Sequence, residues 1–215
     1  MSEPLVTVLF YTSNREKEPF ASRVRDLIMK SKGDLPLISV SQKPLDFGHN
    51  ICVGEHSNCY YNEFRQILIG LKEVKTPYVL HAEADFIYPP EYFQFVPSEP
   101  KTYRYNNVWI VYRGGGRYFY KGQARVGAEI NVTKDLLDEL NKYFEGKPEW
   151  VEDPTFKRSY VVPPENDDVW GDNPVVSFKT GDGIRRHTNV IDGAQTRKKI
   201  PYWGHIVRLK RKMFQ

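Results

Sequence analysis

The sequence predicts an α/β fold, a sheet flanked by helices in a single domain. Three observations carry that prediction. Short apolar runs alternate with segments of helical period through the first hundred residues. The length of 215 residues suits one domain with a sizeable core. Phe, Trp and Tyr make up 14% of the chain, which argues against disorder.

The elements follow in order. Leu5-Val6-Thr7-Val8-Leu9-Phe10-Tyr11 is a continuous apolar run, the pattern of a strand buried on both faces. It opens into the polar loop Thr12-Ser13-Asn14-Arg15. A helix is expected over residues 19–30, with Phe20, Val24, Leu27 and Ile28 on one face. Residues 35–41 read as a second strand and residues 46–56 as irregular. A second helix is expected over 58–75, with Tyr61, Phe64, Ile67, Leu68 and Leu71 at helical spacing. Thr76-Pro77 breaks it, and Tyr78-Val79-Leu80 starts a third strand. Crossovers between parallel strands are right-handed, so the loops after these strands gather at one edge, where α/β sheets bind ligands.

The second half is less regular. Residues 107–112 and 117–120 read as a hairpin around Gly114-Gly115-Gly116. Residues 123–131 read as a strand, Thr133 as the cap of a helix over 134–144, and 166–170 as the opening of a short helix. Val175-Val176-Ser177-Phe178 is a further strand. The expected division is a ligand-binding half, 1–100, and a second half, 101–215, with a basic end.

Composition excludes several classes. No run approaches 18 apolar residues, so no membrane-spanning helix is expected. Met1-Ser2-Glu3-Pro4 lacks the pattern of a secretory signal, and a cytoplasmic location is expected. Cys52 and Cys59 read as buried thiols. The net charge of +4 conceals an asymmetry: residues 185–215 hold nine Lys or Arg and one acid, Asp192. A basic end on a mildly acidic body points to a polyanionic partner.

Chemistry concentrates after the third strand. Glu83 and Asp85 lie one residue apart before Tyr88-Pro89-Pro90. Residues two apart on a strand share a face, so both carboxylates could reach one hard cation, Mg²⁺ or Mn²⁺, shared with substrate phosphates.

With these elements in place the chain resembles the GT-A glycosyltransferases, which transfer a sugar from a nucleotide donor. The resemblance covers most of the chain. It is carried by residues 8–15, by Ile38-Ser39-Val40-Ser41-Gln42-Lys43-Pro44, and by the helix bearing Asn62, Arg65 and Gln66. Glu83-Ala84-Asp85, Gly127-Ala128-Glu129 and Pro201-Tyr202-Trp203-Gly204 also belong to it. The family's acidic motif is usually Asp-X-Asp; here its first position is Glu. The resemblance implies a Rossmann-like mixed sheet and a divalent cation, Mn²⁺ or Mg²⁺, held by Asp85 and Glu83. It adds a C-terminal histidine, best matched by His187 with His205 as the alternative. Thr12, Ser13, Arg15 and Gln42 would sit by a nucleotide-sugar donor, a UDP-sugar being expected, with Arg65 at the phosphate or sugar. A plain helix-surface cation is the other reading of Arg65. The proton acceptor for the incoming hydroxyl would be Asp167, Asp168 or Glu129, although either aspartate also suits a solvated cap.

For the acceptor, Arg185, Arg186, Arg197, Lys198, Lys199, Trp203 and Lys210 combine cations with an aromatic, as nucleic-acid binding requires. A transferase of viral type acting on hydroxymethylated pyrimidines in DNA is the expectation. A glycan or protein acceptor is the second choice. A non-catalytic nucleic-acid-binding protein on a Rossmann-like scaffold is the reading from another class.

Overall fold

The structure, a computed structural model, describes residues 3–115, 117–123, 127–152, 168–182 and 199–215. In chain order its elements are β1 (Val6–Thr12), α1 (Phe20–Ser31), β2 (Leu37–Ser41), β3 (His49–Cys52), α2 (Tyr60–Leu71), β4 (Tyr78–Glu83) and β5 (Phe86–Ile87). A 3₁₀ turn (Pro90–Phe93), β6 (Tyr103–Tyr105), β7 (Val108–Tyr112), β8 (Tyr118–Gly122), β9 (Glu129–Val132) and α3 (Thr133–Phe144) follow. The described chain ends with β10 (Asp168–Trp170), β11 (Val175–Lys179), β12 (Lys199–Ile200), β13 (Gly204–His205) and α4 (Ile206–Phe214).

Seven strands form a mixed sheet in the order β10-β6-β9-β4-β1-β2-β3. β1 pairs in parallel with β2 on one side and β4 on the other, and β9 runs antiparallel to β4. β5-β11-β7-β8 form a second, four-stranded sheet. The architecture is the mixed α/β sheet flanked by helices that the sequence predicts.

Both faces of β1 are covered, which explains its unbroken apolar run. Val6, Val8 and Phe10 point into a core shared with Phe20, Val24 and Ile28 of α1, with α4 and with the second sheet. Leu9 and Tyr11 point into a core made with α2 and α3. Gly70 lets α2 lie close, since a Cβ there would overlap the side chains of Leu9 and Val40. α4 joins the first core through Phe214, whose ring stacks on Phe20 at 4.6 Å and meets Phe178 edge-on.

Several expectations change. Residues 46–56 are not wholly irregular, because β3 pairs along β2 and extends the sheet by an edge strand. Asp168 opens β10, a strand beside β6, rather than a helix. Of the strand expected over 123–131, β9 covers Glu129 onward, and residues 124–126 lie outside the described residues. Thr133 is the first helical residue and makes no side-chain cap. Cys52 is exposed, while Cys59 is buried. Among the described residues no helix is long and apolar enough to cross a membrane.

Candidate functional site

Strand order reverses between β1 and β4: β2 and β3 lie on one side of β1, and the chain crosses over to place β4 on the other. A crevice opens outside the carboxyl ends of strands at such a switch point, and ligands of α/β sheets bind there. The residues at these ends are Thr12 and Glu83.

The floor of this mouth is tied by side chains. Thr12 Oγ1 accepts from the Asn14 amide at 2.9 Å. Asn14, at φ 54°, presents its Oδ1 to the amides of Gln42 and Lys43, each at 2.9 Å. From beneath, Gln66 Nε2 of α2 donates to the carbonyls of Thr12 (3.0 Å) and Val40 (3.2 Å). Thr12, Ser13, Arg15 and Gln42 are thereby gathered on neighbouring loops, with Gln42 buried and Arg15 exposed.

The acidic motif takes up the other side. β4 ends at Glu83, so Asp85 lies in the turn beyond the strand, and the two carboxylates have different partners. Tyr11 donates its hydroxyl to Glu83 Oε1 at 3.2 Å. The Glu83 amide donates to Tyr88 Oη at 2.8 Å, and that hydroxyl donates on to the Gly127 carbonyl at 2.6 Å. Gly127, at φ 83°, leaves room for the Glu83 carboxylate, which a Cβ there would overlap. Burial, reinforced by the charges of Glu63 and Asp85, pushes the Glu83 carboxyl well above its usual range.

Asp85 faces β11. Its carbonyl accepts from the Phe178 amide at 2.7 Å, and its Oδ2 lies 2.9 Å from Lys179 Nζ. The two side chains are only 17% and 15% exposed. Burial works against the Lys179 charge, but the adjacent Asp85 outweighs it and pushes the ammonium pKa up. Glu16, from the loop after β1, completes the cluster. Its Oε1 accepts from Thr180 Oγ1 at 3.0 Å, while its Oε2 is buried without a hydrogen-bond partner. Burial first, then the Asp85 charge, raises the Glu16 carboxyl to about 7. Asp182 lies beside it, 3.6 Å from Arg113 Nη1 and 3.9 Å from Lys17 Nζ.

Glu16, Tyr11 and Lys179 were not among the site residues the sequence singled out. Lys179 had a faint signal, a lysine directly after a buried strand and before Thr180-Gly181-Asp182.

Other expected site residues are engaged elsewhere. Arg65 Nη2 donates to the Pro148 carbonyl at 2.7 Å, and its guanidinium lies 3.8 Å from the Phe144 ring centroid, tying α2 to α3. Glu129 is near the carboxyl end of β4 but buried, 4.0 Å from Arg104 Nε. Asp168 lies on the outer strand of the sheet, paired with Lys101 at 2.5 Å. Asp167 and His187 lie outside the described residues. His205 Nδ1 accepts from the Val207 amide at 3.3 Å as the cap of α4.

The described residues alone do not complete a site for a divalent cation, and His187, the expected third ligand, lies outside them. Among them, no three His, Cys, Asp or Glu side chains converge on a common point. Glu83 and Asp85 are bound to separate partners, and an ammonium already rests against the Asp85 carboxylate.

The basic end forms a second feature. α4 runs against α1, and between them lies an open groove of about 500 Å³, bordered by Arg23 and Lys30 of α1 and by Arg208, Arg211 and Lys212 of α4. Asp26 is the one acid on its border among the described residues. Arg23 Nη1 donates to the Lys212 carbonyl at 2.7 Å. Of the cations and aromatics expected to meet nucleic acid, Lys199 is exposed. Lys210 donates to the Gly115 carbonyl, and the Trp203 indole donates to the Pro174 carbonyl at 2.6 Å. Arg185, Arg186, Arg197 and Lys198 lie outside the described residues.

No protein-family model matches the sequence, and a search of curated proteins gives no match. Solved structures do resemble the fold. An inositol-1-phosphate CTP transferase from T. maritima aligns at 11% identity and TM-score 0.49, over 82% of this chain and 90% of that one. A glycosyltransferase involved in glycosylating the major capsid of PBCV-1 aligns at 17% identity and TM-score 0.43, over 78% and 82%. S. aureus TarS 1-349 aligns at 13% identity and TM-score 0.46, over 82% of this chain and 61% of that one. The bifunctional IspDF from Campylobacter jejuni aligns at 10% identity and TM-score 0.42, over 68% of this chain and 46% of that one. This chain thus spans less than two thirds of the last two. Each of these TM-scores lies below 0.5, so what the mouth does is read from its own residues.

Proposed function

We propose that the protein is a glycosyltransferase that takes a sugar from a nucleotide donor and places it on a hydroxyl of a polyanionic acceptor. The acceptor that best suits its cations is DNA carrying a hydroxymethylated pyrimidine. The observation that carries the donor half is the cluster at the switch point. A loop floor tied by Asn14 and Gln66 lies beside a charged pair, Asp85 and Lys179, at the carboxyl ends of β1 and β4. That arrangement suits a nucleotide whose phosphates face the charges.

In such a transfer the bond between the anomeric carbon and the diphosphate oxygen breaks, and its electron pair stays on the phosphate. A bond forms from the acceptor oxygen to the anomeric carbon, and the acceptor proton leaves to a base. Thr12, Ser13, Arg15 and Gln42 are assigned to the nucleotide side. Glu16 is the carboxylate best suited to take a proton. Its carboxyl is raised to about 7, and one of its oxygens is unpartnered. The described residues alone do not complete a site for a divalent cation, and no step is routed through one.

The groove between α1 and α4 supports the polyanionic acceptor. Among the described residues on its border, cations outnumber acids five to one. A target base would have to leave its stack to reach the mouth.

The test is a mass-spectrometric screen of nucleotide sugars against DNA containing hydroxymethylcytosine or hydroxymethyluracil, run with Mn²⁺ and with EDTA. A hexose-sized mass gain that disappears in Glu16→Gln supports the reading. Sugar transfer to glycan or protein alone overturns the DNA acceptor. Duplex binding with no donor cleavage under either condition selects a non-catalytic binding protein. A salt titration tests the groove: affinity should fall steeply with salt, less steeply in Arg208→Glu/Arg211→Glu, and an affinity indifferent to salt removes the polyanion.

A further inference from the structure

We propose that Lys179 is the resident cation of the mouth, meeting the donor's diphosphate where a divalent ion would otherwise stand. The inference rests on the nucleotide-sugar reading and names the group that neutralises its leaving phosphate.

The placement is fixed by backbone. Phe178 donates its amide to the Asp85 carbonyl at 2.7 Å, so the end of β11 is pinned to the turn after β4 before any side chain is considered. Lys179 is the last residue of β11, and its Nζ then reaches Asp85 Oδ2 at 2.9 Å. Among the described residues Asp85 is its one hydrogen-bond acceptor. An ammonium has three N–H donors, so two remain for an incoming anion.

Charge makes a cation necessary here. Asp85 and Asp182 border the mouth together with Glu16, and a diphosphate brought against these acids with no facing cation would be repelled. A divalent ion would have to displace a buried ammonium from Asp85 or lie against it, and like charges at that distance oppose each other. The same ammonium serves the chemistry. As the anomeric carbon–oxygen bond breaks, negative charge gathers on the diphosphate oxygen, and a fixed N–H donor binds that oxygen more strongly than the intact donor. Lys179 keeps its proton throughout. The acceptor's proton goes to the base, and the diphosphate leaves as the anion.

A plain structural ion pair is the competing account, and binding separates the two. The full chain is dialysed against EDTA, and uridine, guanosine, cytidine and adenosine diphosphates are titrated calorimetrically, each with and without added Mn²⁺. Thermal melts accompany every variant. The expected result is that wild type binds at least one nucleoside diphosphate in EDTA, with an affinity Mn²⁺ changes less than about threefold. Lys179→Met weakens that binding at least about 30-fold, Lys179→Arg retains most of it, and Asp85→Asn weakens it less than Lys179→Met does. If the single methionine variant does not fold, Asp85→Asn/Lys179→Met leaves no buried unpaired charge and carries the same comparison.

Binding that requires Mn²⁺ and is abolished by Asp85→Asn overturns the proposal while leaving the nucleotide-sugar reading intact. Unchanged binding in a folded Lys179→Met variant overturns it equally and makes the pair structural. A folded wild type that binds none of the four diphosphates in either condition removes the nucleotide-sugar reading itself.

Discussion

Two of the aspartate–lysine pairs that join distant segments of this protein differ in almost everything but chemistry. Asp85 and Lys179 meet at the switch point with side chains 17% and 15% exposed, in a setting of further carboxylates. Asp168 and Lys101 meet on the outer strand of the sheet with side chains 55% and 31% exposed. Water screens the second pair and can replace either partner. In the first, each charge depends on the other, because little solvent is present to take its place. The same two residue types therefore make a constraint at the mouth and a surface contact at the edge.

The comparison breaks most visibly at Lys179. Lys179→Met should leave Asp85 buried and unpaired, with a loss of about 3–5 kcal/mol in denaturant unfolding. Adding Asp85→Asn should restore more than half of it. If the single and double variants unfold alike, the pair is not interdependent and the contrast fails.

Glu16 sharpens the contrast through pH. Its folded pKa, about 7, lies above the ordinary 4.5, so the unfolded chain ionises first. Below the unfolded value both states hold the proton and Glu16 costs nothing. As pH rises through the window from about 4.5 to 7 the unfolded state gains its charge more readily, and stability falls until both are ionised. Glu16→Gln should therefore leave stability near pH 4 unchanged and raise it at pH 8 by about 3 kcal/mol at most. Urea melts at the two pH values measure it, and equal gains at both would show that burial of Glu16 is not what strains it.

The smallest effect is expected at the edge. Asp168→Asn should move the melting midpoint by about 1 °C or less, and 0.5 M salt should abolish even that. A larger, salt-resistant shift would mean that the outer pair is as closed to water as the inner one.

How much of this was legible in the sequence depended on burial. β1, β4 and the apolar faces of α1 and α2 could be read because both sides of those strands, and one side of each helix, are core. β3 was missed because its residues, His49-Asn50-Ile51-Cys52, lie at an edge with no apolar pattern to mark it. The acidic motif was found, but its partner was not. Strand period places Glu83 and Asp85 on one face, yet β4 stops at Glu83, and Lys179 arrives from 94 residues away. Glu16 drew no notice in the sequence, because Thr180, which its carboxylate meets, lies 164 residues on. Arg65 looked free on its helix because the Pro148 carbonyl that receives it lies 83 residues on.

The Gln66 side chain has a consequence beyond hydrogen bonding. One amide holds the ends of β1 and β2 from below, while Asn14 joins the loops above them. The mouth is therefore shaped before anything enters it. A ligand arriving there has few loop torsions to immobilise, so more of its contact energy remains as affinity. Rigidity at that one glutamine sets how selective the mouth can be toward ligands that nearly fit.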